Sequence, residues 1–264
     1  MTSAVALRVT AASHRGHVRE RNEDALGVQG WTTQRGDGCS VQLRVPVEPS
    51  ATCVVADGLG GHAAGHVASR LAAETISGEL HGNSSDHVRE TFLSAHERIR
   101  TAADASALTG MGTTAVALCL TTDSLVIANV GDSRLYELAD GLIRLSHDDN
   151  PALPPERAGA PVHTLTQALG LEREPDVHLD RLQTEAGLRF VLCTDGLTDL
   201  FDDAYLGEVC KGATGDDVIV ARLITAALAA GAPDNLTVAI AEVEEVAAAF
   251  LPQTIRTGRA MHPR

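Results

Sequence analysis

The chain has 264 residues, of which 44% are hydrophobic and only 3% aromatic, and its formal net charge is −14. This length suffices for one large domain with a full core, and the charge argues against surfaces for nucleic acid or anionic membranes, which would repel such a protein. Residues 1–12 lack the pattern of a signal peptide, and no apolar run approaches the roughly 18 residues of a membrane span, so a cytoplasmic protein is expected.

The first half of the chain is predicted to contain strands followed by two helices. Strands are predicted over residues 7–13 and over the apolar run 52–56, which leads into a glycine-rich turn. Apolar residues spaced three and four apart predict amphipathic helices over 62–80 and 86–102. We therefore expect two neighbouring helices on one side of a sheet.

The second half is predicted to be richer in strands. Four short β-rich runs, at 113–120, 124–130, 134–138 and 142–145, are separated by turn signals and predict an antiparallel meander. Further strands are predicted over 177–182, 188–193 and 236–243, and helices over 204–210 and 216–230, the last with Asp216 as its N-cap. The pattern indicates two antiparallel sheets face to face with helices outside.

Carboxylates recur where the predicted strands end, beside Gly or Asn. They are Asp57, Asp132, Asp195 and Asp234, with Glu23 and Asp24 as a further pair. If these side chains converge, their mutual repulsion requires cations between them, and ligands that are all oxygen favour Mg²⁺ or Mn²⁺ over zinc. The alternative for any one Asp-Gly pair is a simple turn cap.

Seven short motifs span nearly the whole chain. They are Val18-Arg19 with Asn22-Glu23-Asp24-Ala25, Asp57-Gly58-Leu59-Gly60-Gly61-His62, Gly110-Met111-Gly112-Thr113-Thr114, Asn129-Val130-Gly131-Asp132-Ser133-Arg134, Ala168-Leu169-Gly170, Thr194-Asp195-Gly196-Leu197, and Asp234-Asn235-Leu236-Thr237-Val238. Through these motifs, in this order, the chain resembles the metal-dependent protein serine/threonine phosphatases, the PPM or type 2C family, and most closely their compact bacterial members.

The resemblance implies an α+β fold, the αββα sandwich, in which two antiparallel β-sheets lie face to face and are flanked by helix pairs. A single phosphatase domain is expected over residues 1–245, with a shortened, proline-rich, flap-like loop at 149–163. Because this loop can hardly form a helical lid, we expect a more open site. Residues 246–264 are expected to be a flexible C-terminal tail.

The resemblance also implies two Mn²⁺ or Mg²⁺ ions in the core of the site, with a third as a further expectation. Asp57 would bridge the two ions, Asp195 and Asp234 would complete the first site, the Gly58 carbonyl and Glu23 would serve the second, and Asp132 with Asp195 would bind a third, weaker ion. Asp24, which would hold metal-bound water, and Asn235 would support the site without contacting the ions.

By the same resemblance, a hydroxide bridging the ions attacks the phosphorus of phosphoserine or phosphothreonine directly, without a phosphoenzyme. Arg19 would grip the phosphate with its planar fork, although a surface arginine is the alternative. His62 is a candidate general acid. Family members with a catalytic histidine have it immediately after Asp-Gly, where this chain has Leu59, so a solvated histidine at a helix N-terminus is the other interpretation.

Four positions depart from the bacterial members. His14 stands where they usually have Asp, His66 where they usually have Glu, Asp149 where they usually have His, and Gln167 where Arg is frequent. None is a metal ligand by resemblance. We therefore expect these departures to affect the residues that surround the metal ligands and the substrate preference, rather than the reaction.

The expected partners are phosphorylated proteins, the substrates of a Ser/Thr kinase, with no nucleic acid and no membrane. A catalytically silent relative that binds phosphoproteins as a scaffold or sensor is the alternative. Such relatives usually lose metal aspartates, whereas Asp57, Asp195 and Asp234 are all present here. A two-metal nuclease or other phosphodiesterase is a third hypothesis, and the acidic charge counts against it.

Overall fold

The computed structural model describes residues 4–60, 64–106, 110–151, 164–211, 215–246 and 254–257. The strands are β1 (Ala4–His14), β2 (Asp24–Val28), β3 (Trp31–Thr33), β4 (Val41–Pro46), β5 (Ser50–Leu59), β6 (Gly112–Thr113), β7 (Ala115–Thr121), β8 (Ser124–Val130), β9 (Arg134–Leu138), β10 (Leu142–Arg144), β11 (His178–Gln183), β12 (Arg189–Cys193), β13 (Leu236–Val246) and β14 (Thr254–Thr257). The helices are α1 (Ala64–Glu79), α2 (Ser85–Ser106), α3 (Asp195–Thr198), α4 (Asp203–Cys210) and α5 (Asp216–Ala229).

Two antiparallel sheets form the centre of the molecule. The first sheet has the order β10-β9-β12-β13-β1-β4-β14, and the second has the order β11-β8-β7-β5-β2-β3, with β6 paired to β5. Side chains such as Leu118 and Phe190 fill the space between the sheets. Ile76 and Phe92 join α1 and α2 to the second sheet, and Leu223 joins α5 to the first. This arrangement confirms the expected αββα sandwich.

Small side chains allow α1 to lie close to the second sheet. Ala68, Ala72 and Ala73 on its inner face are fully buried. A Cβ atom added to Gly27 in β2 would come within 2.8 Å of the Ala73 carbonyl oxygen, so the strand has no room for a side chain there. The close approach of α1 lets small side chains fill the space between the helix and the sheet in a core with few aromatic residues.

The predicted meander is wrong at its centre, because β8 belongs to the second sheet and β9 to the first. The chain crosses between the sheets at residues 131–133. Gly131 begins the crossing with φ +98°, a left-handed conformation that glycine adopts without steric cost. A Cβ atom there would also lie 2.6 Å from Cγ2 of Thr114. A turn signal in the sequence does not distinguish a hairpin from a crossing of this kind.

Asp216 is not the N-cap of α5. Gly215 occupies that position, and Asp216 is the first residue of the helix. Its buried carboxylate forms ion pairs with Arg8 of β1 and Arg189 of β12 instead. The sequence pattern predicted that the Asp216 side chain caps the helix, but it binds these two arginines instead.

The tail differs from its expectation at four residues, because Thr254–Thr257 forms β14 and pairs with β4. The rest of the tail beyond Val246 lies outside the described residues, as do residues 152–163 of the flap-like loop and His62. None of the helices in the described residues combines the length and the apolar character needed to cross a membrane.

Candidate active site

Strand ends from both sheets meet at a cleft of about 370 Å³. It is lined by Arg19, Glu23, Asp57, Gly58, Leu59, Gly60, Thr114, Asp132, Leu165, Asp195, Asp234 and Asn235. Of the ten site residues named from the sequence, eight therefore line one cleft. Asp24 is fully buried and is not part of the lining, and His62 lies outside the described residues.

The two sheets contribute the acidic side chains about equally. Asp24 of β2 and Asp57 of β5 lie directly opposite each other in the second sheet. Asp195 follows β12 of the first sheet, and Asp234 precedes β13. Asp132 lies in the crossing between the sheets. The cleft is therefore a property of the sandwich as a whole, not of one loop.

Threonine side chains fix the main chain of Asp57. Its amide donates to Oγ1 of Thr114 at 3.0 Å, and its carbonyl accepts from the Thr114 amide at 2.9 Å and from Oγ1 of Thr113 at 2.7 Å. Oγ1 of Thr114 lies 2.7 Å from Oγ of Ser133, one residue after Asp132. A continuous hydrogen-bonded path thus joins the segments that carry Asp57 and Asp132.

Asp24 connects the two sheets through a buried carboxylate. Its Oδ2 accepts hydrogen bonds from Oγ1 of Thr194 at 2.9 Å and of Thr237 at 2.7 Å, both next to the first sheet's site residues. Its Oδ1 has no hydrogen-bond partner among the residues that the structure describes. Burial raises the pKa of Asp24 to about 7, the hydroxyls oppose the shift, and the charges of Asp195 and Asp234 add to it.

Three carboxylates of the cleft, those of Asp57, Asp132 and Glu23, also have raised pKa values. Burial, together with the charge of Asp195, raises the pKa of Asp57 well above its ordinary value. The same two causes raise the pKa of Asp132 to about 6, and burial raises that of Glu23. Neighbouring carboxylates repel one another in this way when no cation lies between them.

The atoms of the cleft that could ligate a metal are carboxylate and carbonyl oxygens, and oxygen ligands suit a hard divalent cation such as Mn²⁺ or Mg²⁺. Within the described residues, no group of three or more His, Cys, Asp or Glu side chains is already gathered closely enough to hold an ion. Glycines nevertheless allow the backbone at Gly58, the start of α1 at Gly65 and the Glu23 carboxylate to lie close to one another. A Cβ atom on Gly58 would lie 2.2 Å from the Gly65 carbonyl oxygen, and one on Gly65 would lie 2.6 Å from Oε2 of Glu23.

Arg19 lies at the mouth of the cleft with about half of its side chain exposed, and its Nη2 donates to Oδ2 of Asp234 at 2.6 Å. Burial opposes the positive charge, but this hydrogen bond and the nearby carboxylates raise the pKa of Arg19. The loop that carries Arg19 is held by Asn235. Its Oδ1 accepts from the Glu23 amide at 2.8 Å, and its Nδ2 donates to the carbonyls of Arg15 and Arg21.

A sequence profile of the protein phosphatase 2C family matches residues 15–228. The chain belongs to the protein phosphatase 2C family. The matched range includes Arg19 and most of the acidic residues of the cleft, and Asp234 and Asn235 lie just beyond it.

Bacterial phosphatases of the 2C family are similar to this chain over most of its length. A serine/threonine phosphatase of Mycobacterium tuberculosis, PstP, is 31% identical over 261 residues, which cover 90% of this chain and 45% of that protein. The chain thus spans less than half of that relative. The Stp phosphatase of Listeria monocytogenes is 29% identical, covering 86% of this chain and 92% of its own. The solved PstP catalytic domain in complex with two manganese ions is 32% identical, with a TM-score of 0.71, over 91% of this chain and all of that domain.

Several residues that organise this 2C-family cleft were not singled out as site residues from the sequence. Thr114 binds the Asp57 main chain and the Ser133 hydroxyl, and Thr194 and Thr237 bind the Asp24 carboxylate; all four lie inside the seven motifs. Membership in a motif was therefore the signal that could have identified them. Leu165, which lines the cleft, lies outside the motifs and has no such signal.

Proposed function

We propose that this chain is a metal-dependent protein serine/threonine phosphatase that hydrolyses phosphoserine and phosphothreonine. The observation that supports it most is the convergence of five carboxylates and Arg19 in one cleft. The carboxylates are Glu23, Asp57, Asp132, Asp195 and Asp234. The names of the bacterial relatives support the same activity and substrate class.

The proposed roles follow from what each side chain can do. Asp57, Asp195, Asp234, Glu23 and the Gly58 carbonyl would hold two Mn²⁺ or Mg²⁺ ions, and Asp132 with Asp195 a third. When bound, the ions supply an activated water and neutralise the charge of the phosphate. The planar guanidinium of Arg19 would bind two phosphate oxygens and orient the phosphorus toward the cleft. His62 is kept as a candidate proton donor to the leaving oxygen.

The proposed substrates are proteins phosphorylated by a Ser/Thr kinase, and the proposed compartment is the cytoplasm. We also propose that residues 1–245 form one phosphatase domain and that the loop at 149–163, short and rich in proline, leaves the cleft open to protein substrates. Exchange of this loop for a full-length flap should change the preference among phosphopeptides, measured as ratios of kcat/KM.

Hydrolysis of a phosphothreonine peptide tests the proposal. We expect activity with Mn²⁺, loss of activity with EDTA, and loss in the Asp57→Asn and Asp195→Asn variants. Asp180→Asn is a matched control, because Asp180 is an exposed aspartate on β11 outside the cleft. Activity that survives EDTA and both site variants would overturn the mechanism. A folded wild-type protein that binds Mn²⁺ but does not hydrolyse phosphopeptides would favour the scaffold hypothesis.

A further inference from the structure

Asp149 is a nearly buried carboxylate beside the cleft that the proposed reaction does not use. Its Oδ2 accepts a hydrogen bond from the Gly131 amide at 2.7 Å, and its own amide donates to the Gly131 carbonyl at 3.1 Å. Its Oδ1 lies 2.7 Å from Nε2 of His178 on β11. The main chain and the side chain of Asp149 thus both bind Gly131, and His178 binds the remaining carboxylate oxygen.

Gly131 directly precedes Asp132 in the crossing between the sheets. It packs against Thr114, the residue whose hydroxyl accepts from the Asp57 amide, and no side chain would fit between them. A displacement of Gly131 would therefore move Asp132 and disturb the support of Asp57. Asn150, the residue after Asp149, donates from Nδ2 to Oδ2 of Asp132 at 3.1 Å.

Asp149 and Asn150 also bind residues 164 and 166 directly. The Asp149 carbonyl accepts from the amide of Thr166 at 2.7 Å and from its hydroxyl at 3.0 Å. Nδ2 of Asn150 also donates to the carbonyl of Thr164 at 3.1 Å. Leu165, between these two threonines, lines the cleft. Asp149 is therefore linked to the segment of Leu165, which lines the cleft, as well as to Gly131 beside Asp132.

His178 is itself held in place. Its ring stacks on His147 with 4.9 Å between the ring centroids. His147 is fixed in turn by Asn129, which donates to the His147 carbonyl at 2.6 Å and accepts from the His147 amide at 3.0 Å. An imidazole with a fixed orientation gives the Asp149 carboxylate a fixed orientation, because the two share a short hydrogen bond.

We propose that Asp149 and His178 form a positioning pair that holds Gly131 so that the Asp132 carboxylate stays beside Asp195, and thereby sets the affinity of the cation bound by these two aspartates. The pair contacts neither substrate nor ion and acts through Gly131 and Asn150. This inference rests on the metal site of the proposed function.

The test measures Mn²⁺ binding by titration calorimetry and, separately, the Mn²⁺ concentration for half-maximal phosphopeptide hydrolysis. In Asp149→Ala we expect the weakest Mn²⁺ site to lose roughly tenfold or more in affinity, as when a group supporting a metal ligand is removed. Asp149→Asn should recover most of the loss, because its amide retains an acceptor for Gly131 and can still bind His178. Asp180→Asn, on the same strand as His178, should bind Mn²⁺ like the wild type.

His178→Ala tests the other member of the pair. We expect a smaller loss than in Asp149→Ala, because Asp149 still accepts from Gly131. The double variant should bind Mn²⁺ no more weakly than Asp149→Ala, since the two residues act through one path. If Asp149→Ala does not fold, His178→Ala and Asp149→Asn carry the test.

Two results would overturn the positioning role. In the first, Asp149→Ala and His178→Ala bind Mn²⁺ at the weakest site as tightly as the wild type does, whereas Asp132→Asn no longer binds Mn²⁺ at that site. The other is a lower unfolding temperature in EDTA with unchanged Mn²⁺ binding, which would make the pair merely structural. Because binding is measured without substrate, failure of the proposed phosphatase activity in the wild type remains distinguishable from failure of the pair.

Discussion

Asp24 combines full burial with an ionisable side chain, and this combination has a cost when no cation is present. Burial raises its pKa to about 7, so the folded state holds a proton that the unfolded state has released. The contribution of Asp24 to the free energy of unfolding is therefore fully present below the pKa of the unfolded state, which is near 4. It is lost as the pH rises through about 7.

We predict that Asp24→Asn changes this pH dependence. Without metal, the unfolding free energy of the variant relative to wild type should rise by about 2–3 kcal/mol between about pH 5 and about pH 8, because the variant has no proton to release. Denaturant unfolding in EDTA at several pH values measures the difference. A constant difference across this range would show that Asp24 ionises normally in the folded protein.

At the start of helix α1, Gly65 lies close to the Glu23 carboxylate and to the Gly58 carbonyl. We predict that Gly65→Ala displaces Glu23 and the end of β5, because the new Cβ would lie 2.6 Å from Oε2 of Glu23 and 2.7 Å from the Gly58 carbonyl. Overpacking of this kind costs about 1–3 kcal/mol, and Mn²⁺ affinity should also fall.

Gly78, in the last turn of α1, provides the matched control. Its nearest neighbour is the Gly30 Cα at 4.0 Å, so a methyl group fits. Gly78→Ala should raise the unfolding free energy by about 0.4–1 kcal/mol and leave Mn²⁺ binding unchanged. Equal effects of the two substitutions would mean that helix propensity, not the approach of Glu23, decides the outcome.

Arg134 joins β9 to the start of α4. Its guanidinium donates to both oxygens of Asp148 at 2.8–3.2 Å and to Asp203 at 3.3 Å, next to the hydroxyl of the buried Tyr136. We predict that Arg134→Ala lowers the unfolding free energy by about 2–3 kcal/mol, because it leaves the partly buried carboxylate of Asp148, whose side chain is 15% exposed, without its main partner.

Arg144 binds the same Asp148 at 2.9 Å, but 41% of its side chain is exposed. Arg144→Ala should therefore cost less than about 1 kcal/mol. Thermal and denaturant unfolding of both variants give the comparison. An equal loss in the two would argue that the anchoring of α4 by Arg134 adds nothing beyond a surface ion pair.

For the whole molecule, bound cations should add stability, since they bind the folded chain and not the unfolded one. At a free Mn²⁺ concentration about 100-fold above the dissociation constant, the gain for one site is about 2.7 kcal/mol. We predict a Mn²⁺-dependent rise in the unfolding temperature that EDTA reverses and that Asp57→Asn largely removes. A rise that persists in this variant would place the stabilising ion elsewhere on the acidic surface.

The sequence predicted the parts that repeat a local pattern. The helices of the αββα sandwich follow from the spacing of residues such as Ile76 and Phe92, and the cleft residues other than Leu165 follow from the seven motifs. Contacts between distant segments could not be predicted. The crossing at Gly131 looks like any hairpin turn in the sequence, Asp216 binds two arginines on distant strands, and the Asp149 and His178 pair joins residues 29 positions apart.

The origin of the site residues in two different sheets has a mechanical consequence. Asp57 belongs to a strand of one sheet, whereas Asp195 and Asp234 adjoin strands of the other. Ions chelated by Asp57 together with Asp195 and Asp234 would act as a cross-link against shear between the layers. Mn²⁺ should accordingly slow amide hydrogen exchange in β5 and in β13 together, so that the sandwich opens as one cooperative unit rather than layer by layer.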